Sequence, residues 1–241
     1  MTSSRTAARV GVAICALWFG IQSAGCRAKE EAVPAPQQSV AAAPAAVRSS
    51  TEPERPKVVI LGDSLTAGLG LLESQAYPAL LQQKLDAAGY KFEVENAGVS
   101  GDTSAGGLRR LDWAMQGSVR VLIVALGGND GLRGLSAADM KKNLSEIIDR
   151  ARARNVTVIL AGMEAPPNYG QEYAAAFRQV YRDVSRQEHV ILIPFLLDNV
   201  AGHPDLNQPD GIHPNVRGAQ IVANTVWSAL QPILDQLAAS S

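Results

Sequence analysis

Two short segments near opposite ends of the chain carry residue types that can do chemistry together. The first is Leu61-Gly62-Asp63-Ser64-Leu65, which closes a Val- and Ile-rich run. A serine on the turn after a buried strand is held rigidly and presented at the edge of a sheet, as a nucleophile needs. The second is Asp210-Gly211-Ile212-His213-Pro214. An Asp three residues before a His can reach Nδ1 within one local turn, fixing the tautomer so that Nε2 is free to take a proton. Ser64, His213 and Asp210 could therefore act as nucleophile, general base and orienting carboxylate. A strand followed by G-x-S is also a common turn or helix cap. Thr66 stands where the G-x-S-x-G motif requires glycine, so that motif is absent.

Two further segments suit the stabilisation of developing negative charge. Gly101, in Val99-Ser100-Gly101-Asp102-Thr103, precedes a helix, so its N–H could face an oxyanion. Asn129, in Gly127-Gly128-Asn129-Asp130, offers a side-chain amide. Alone, each reads as a turn glycine or a loop cap. Of the other histidines, His189 reads as a surface residue and His203 as turn material. Asp205, Asp210, His203 and His213 lie close in sequence, but no H-x-H, H-E-x-x-H or cysteine-rich spacing accompanies them. Neither a metal nor any other cofactor is expected, and Gly68-Leu69-Gly70 lacks the context of a phosphate-binding loop.

The positioning elements are legible as alternating patterns. Residues 57–61, 92–96, 119–126, 156–160 and 190–194 are short apolar runs of strand character. Between them lie helical periodicities: one opening at Pro78 and ending at Gly89, one capped by Ser136 and running to about Arg154, one from near Tyr169 to Gln187, and one after Pro214. Five strands alternating with helices imply a parallel sheet covered on both faces. In such sheets ligands gather beyond the carboxyl ends of the strands, where all the candidate residues fall.

With 22 Lys and Arg against 23 Asp and Glu, net charge is −1, so a nucleic-acid partner has no electrostatic support. The 241 residues allow one domain and an extension. Residues 1–25 read as a signal peptide: Arg5 and Arg9, an apolar run from Val10 to Ile21, then Ser23-Ala24-Gly25. That run would rise only about 18 Å as a helix, short of a hydrocarbon core of about 30 Å. Cys26 follows at once and resembles the lipidated cysteine of bacterial lipoproteins, although Ser23 stands where Leu is usual. The other cysteine, Cys15, lies in the segment to be removed, which leaves no disulfide. Residues 26–55, rich in Ala and Pro, read as a disordered tether and residues 56–241 as the folded domain. The expectation is an exported protein of the bacterial cell envelope, held on a membrane by lipid or else soluble.

The four segments resemble the SGNH hydrolase family, also called GDSL. GDSLTAG (62–68) is similar to its first block, NAGVSGDTSAGGL (96–108) to its second, LGGNDGLRG (126–134) to its third and DGIHPN (210–215) to its fifth. GGNDGLRG and PNYG (167–170) resemble the bacterial branch that acts as arylesterase, thioesterase and lysophospholipase. The resemblance implies a three-layer α/β/α sandwich with a flavodoxin-like sheet. It implies Ser64 as nucleophile, His213 as base, Asp210 as its orienting partner, and an oxyanion hole made by the N–H of Ser64, the N–H of Gly101 and the Asn129 side chain. Esters, thioesters or lysophospholipids would be substrates; Leu69, Leu71, Leu72, Leu132 and Ala165-Pro166-Pro167 could line an acyl groove or equally serve as loop anchors in the core. Two alternatives stay open: a deacetylase of envelope glycans on the same site, and a lipid- or glycan-binding envelope protein without turnover.

Overall fold

The computed structural model describes residues 55–239. The expected signal segment, Cys26 and the tether as far as residue 54 lie outside them. Five strands appear in the order of the sequence pattern: β1 (Lys57–Gly62), β2 (Glu93–Gly98), β3 (Val119–Ala125), β4 (Thr157–Ala161) and β5 (Ile191–Ile193). They form one parallel sheet of order β2-β1-β3-β4-β5. β1 and β3 sit inside it, and Val58 to Leu61 and Val121 to Val124 are fully buried, as near-continuous aliphatic runs require when both faces are covered.

Among the described residues seven α-helices flank the sheet: α1 (Ser64–Ala67), α2 (Tyr77–Ala87), α3 (Ser104–Ala114), α4 (Gly128–Leu132), α5 (Ala137–Arg152), α6 (Gln171–Glu188) and α7 (Val216–Ala239). Helix α2 packs on α7 in one layer, while α3 packs on α5 and α5 on α6 in the other. This is the three-layer, flavodoxin-like arrangement. In α7 the buried face runs through Val222, Val226, Leu230, Ile233 and Leu234; Ile221 and Thr225, which the periodicity also favours, are only half-buried.

Register decides where the chemistry-bearing loops emerge. Gly62 at the end of β1 is level with Gly98 of β2 and with Ala125 of β3. The chain turns after all three at one height, and the strand order reverses between β1 and β3, the crevice where ligands bind in open parallel sheets. Contact there is tight. A Cβ on Gly98 would lie 2.3 Å from the backbone nitrogen of Ala67, so only glycine lets α1 cross the end of β2. Thr66 fills the matching space over Gly62 and its hydroxyl meets the Tyr77 hydroxyl at 2.7 Å.

Two short helices differ from the loops read in the sequence. Ser64 opens α1 and Asn129 lies within α4. Runs of four and five residues carry too little periodicity to be seen, and α1 exists because Asp63 caps it from outside.

Candidate active site

The nucleophile candidate stands where a helix begins. Asp63 is the N-cap of α1, and its Oδ1 accepts the Leu65 N–H at 3.0 Å. Ser64 follows at the first helical position. Its own N–H and that of Gly101 have no acceptor among the described residues. Gly101 has φ +83°, a left-handed conformation suited to glycine, and its carbonyl accepts from Arg133 Nη2 at 2.7 Å. Arg133 thus ties the loop after β2 to the end of α4.

Asn129 enters from the other side of the crevice. Its Nδ2 donates to Asp63 Oδ2 at 3.2 Å. The adjacent Asp130 is buried and receives both the N–H and the hydroxyl of Ser104, at 2.8 and 2.6 Å, joining α4 to the start of α3.

The imidazole arrives on a folded loop between β5 and α7. Gln208 N–H donates to the His213 carbonyl at 2.7 Å, and Asn207 bridges Pro214 in an antiparallel pair. Asp210 folds back on the turn: Oδ1 accepts the N–H groups of Ile212 and His213 at 2.9 and 3.0 Å, while Oδ2 lies 2.7 Å from His213 Nδ1. Those two backbone donors, then the imidazole, hold the Asp210 carboxyl down at about 2. An ionised carboxylate only accepts, so the Nδ1 beside it carries hydrogen and a neutral ring turns the Nε2 lone pair outward. Nε2 lies 2.9 Å from Ser64 Oγ. Asp63, by contrast, is pushed up to about 6 by burial, against the pull of Leu65 N–H, His213 and the Asn129 amide.

The structure brings together Ser64, His213, Asp210 and Asn129, with Gly101 on the loop level with them. It leaves the other polar candidates outside. Asp205 faces Arg217 at 3.4 Å, His189 caps the end of α6 in a left-handed conformation, and His203 lies in the loop before Asn207. Among the described residues no group of three or more His, Cys, Asp or Glu side chains could hold a metal ion.

A cavity of about 330 Å³ opens beside Ser64 and Asn129, lined by Leu132, Met163, Ala165, Pro166, Phe195 and Ile212 among others. The candidates for an acyl groove divide between two places. Leu132, Ala165 and Pro166 do line it. Leu69 and Leu71 line a separate, smaller cleft of about 10 Å³ that Ser64 and His213 also line, and Leu72 is 67% exposed. These three follow α1. Sequence reasoning missed Met163 and Phe195, which follow β4 and β5; their place beyond strand ends was the available signal. It also missed Asp63 and Arg110, whose partners are visible only in three dimensions.

Similarity to known proteins agrees with this geometry. Esterase TesA of Pseudomonas aeruginosa is 44% identical over 178 residues, covering 73% of this chain and 89% of that protein. Thioesterase 1/protease 1/lysophospholipase L1 of Escherichia coli is 39% identical over 179 residues, covering 74% and 85%. The crystal structure of the psychrotrophic esterase EstA from Pseudoalteromonas sp., in a form inhibited by monoethylphosphonate, matches with TM-score 0.71 at 34% identity, covering 74% of this chain and 98% of that one. Residues 60–221 match the family described as GDSL-like lipase/acylhydrolase, and this chain belongs to it.

Proposed function

We propose that this carboxylic ester hydrolase works through an acyl-enzyme on Ser64. The observation that carries the reading is the line of contacts from Asp210 through His213 to Ser64, 2.7 and 2.9 Å long. Ser64 Oγ attacks the ester or thioester carbonyl carbon as His213 Nε2 takes its proton. The carbonyl oxygen becomes an oxyanion facing the N–H groups of Ser64 and Gly101 and the Asn129 amide. The intermediate collapses, the C–O or C–S bond breaks, and His213 returns the proton to the departing alcohol or thiol. Water, deprotonated by the same nitrogen, then adds to the acyl-serine, and a carboxylic acid leaves with Ser64 restored.

The apolar cavity beside Ser64 favours an acyl chain longer than acetyl as its occupant. That supports aryl esters, acyl thioesters and lysophospholipids over an acetylated glycan, and the names of the relatives point the same way. The sequence of residues 1–26 supports export to the cell envelope with a lipid on Cys26. Among the described residues no helix is long and apolar enough to cross a membrane.

The test is p-nitrophenyl ester hydrolysis with labelling by a fluorophosphonate. Ser64→Ala should lose about 10⁴–10⁶ in kcat and all labelling. A variant that still turns over at the original rate removes Ser64 from the reaction, and an unlabelled wild type favours a binding protein.

A further inference from the structure

Asp63 immediately precedes the proposed nucleophile, is only 3% exposed and uses both carboxylate oxygens. One caps α1 through Leu65 N–H; the other accepts from Asn129 Nδ2. Gly128 keeps that approach open, since a Cβ there would lie 3.1 Å from Asp63 Oδ2. The Asn129 amide has two ends of opposite use. Its NH2 group can stabilise an oxyanion, whereas its carbonyl would repel one, and the two exchange by a half-turn of the amide. An ionised carboxylate accepts and cannot donate, so it selects the NH2 end. One N–H is spent on Asp63 and the second remains, in a side chain that lines the same cavity as Ser64.

We propose that Asp63 is a positioning residue that holds the Asn129 amide with its NH2 end toward the reacting carbonyl. The inference rests on the oxyanion role given to Asn129 above. The titratable groups facing Asp63 are His213 from the C-terminal loop, Tyr77 from α2 and Tyr181 from α6. Both tyrosines are buried and pushed upward, so neither brings charge at neutral pH. With its carboxyl at about 6, Asp63 is the required acceptor in neutral solution. In acid it becomes a donor that could hold the amide the wrong way round.

The experiment compares wild type, Asp63→Asn, Asn129→Ala and the double variant on p-nitrophenyl butyrate. Asparagine caps a helix as well as aspartate does, so Leu65 N–H keeps its partner, but an amide nitrogen now confronts Asn129. Asn129→Ala should lower kcat about 10²–10³-fold. Asp63→Asn should lower it at least about tenfold with KM within about twofold, and the double variant should match Asn129→Ala within about twofold. The ratio of wild-type to Asp63→Asn rates should also shrink toward one as pH falls below about 6, a comparison in which His213 is common to both. Losses that multiply in the double variant, or an Asp63→Asn enzyme at the wild-type rate, overturn the inference and leave the oxyanion reading standing. A fully active Asn129→Ala enzyme removes both. If Asp63→Asn does not fold, NMR of the wild type decides. The Asn129 side-chain NH2 resonances should shift with a midpoint near pH 6, and resonances flat from about pH 5 to about pH 8 overturn the proposal.

Discussion

His213 Nε2 lies 2.9 Å from Ser64 Oγ across a separation of 149 residues. Gln208 holds that closure in place. Its Nε2 donates to the carbonyl of Leu69, beyond α1, at 2.7 Å and to the carbonyl of Pro214 at 3.0 Å. The loop bearing the imidazole is thereby stitched to the loop bearing the serine.

Asp210 should remain ionised wherever the enzyme works. Its carboxyl is lowered to about 2, so its favourable interactions are present above 3.8 and are lost only as pH falls toward 2. Wild-type kcat/KM should therefore show no acid limb from Asp210 above about pH 4. Asp210→Asn should lower kcat about 10²–10⁴-fold by freeing the imidazole to take the wrong tautomer. The lower part of that range is expected because the Asp210 side chain is 44% exposed and water can partly replace it. A pH–rate profile of both enzymes checks this, and a loss under about threefold contradicts it.

Arg110 is predicted to clamp the crevice. Its three nitrogens donate to Asp102 Oδ2 at 2.5 Å, the Ala97 carbonyl at 2.7 Å and the Gly62 carbonyl at 2.8 Å. The last residue of β1, the last but one of β2 and the neighbour of Gly101 are joined by one guanidinium. Both charged side chains are 17% exposed. Arg110→Met leaves a carboxylate and two carbonyls without it and should cost about 2–4 kcal/mol, read from the urea midpoint. Unchanged stability would show that water replaces the clamp freely.

What the sequence could disclose depended on range. The strands were legible because aliphatic runs such as Val119 to Ala125 are set by burial on both faces. The Asp210–His213 contact was legible because three residues of chain enforce it. The meeting of Ser64 with His213 needed the strand order and the family resemblance together. The link from Asp63 to Asn129 and the three-way grip of Arg110 were illegible, since nothing local marks a partner 66 or 48 residues away. Leu69, Leu71 and Leu72 could not be sorted from Leu132 for a related reason: which cleft an apolar side chain near a site lines depends on backbone turns that hydrophobicity does not encode.

Asp63 should also trade stability for its place in the site. A buried carboxyl raised to about 6 favours folding most below 3.8, and that advantage is lost as pH rises through about 6. The difference corresponds to about 3 kcal/mol at neutral pH. Asp63→Asn carries no charge to bury, so relative to wild type it should gain up to about 3 kcal/mol between about pH 4 and about pH 7. Urea midpoints at the two pH values check the sign. A wild type that gains on the variant as pH rises would mean that its hydrogen bonds outweigh burial.

The cavity should read acyl-chain length. Each methylene buried there contributes about 0.8 kcal/mol, so kcat/KM on p-nitrophenyl esters should rise about threefold to fourfold per added carbon until the chain outgrows the space of about 330 Å³. Phe195 lines that space beside Met163 and Ile212. Phe195→Ala removes a wall that long chains touch and acetyl does not, so the longest esters should lose about tenfold while the acetyl ester stays within about twofold. Equal losses at every length would place Phe195 in support of the site and not in its specificity. A series that peaks at acetyl in the wild type would instead support the deacetylase reading, because an enzyme for acetyl groups gains nothing from an apolar cavity of this size beside its nucleophile.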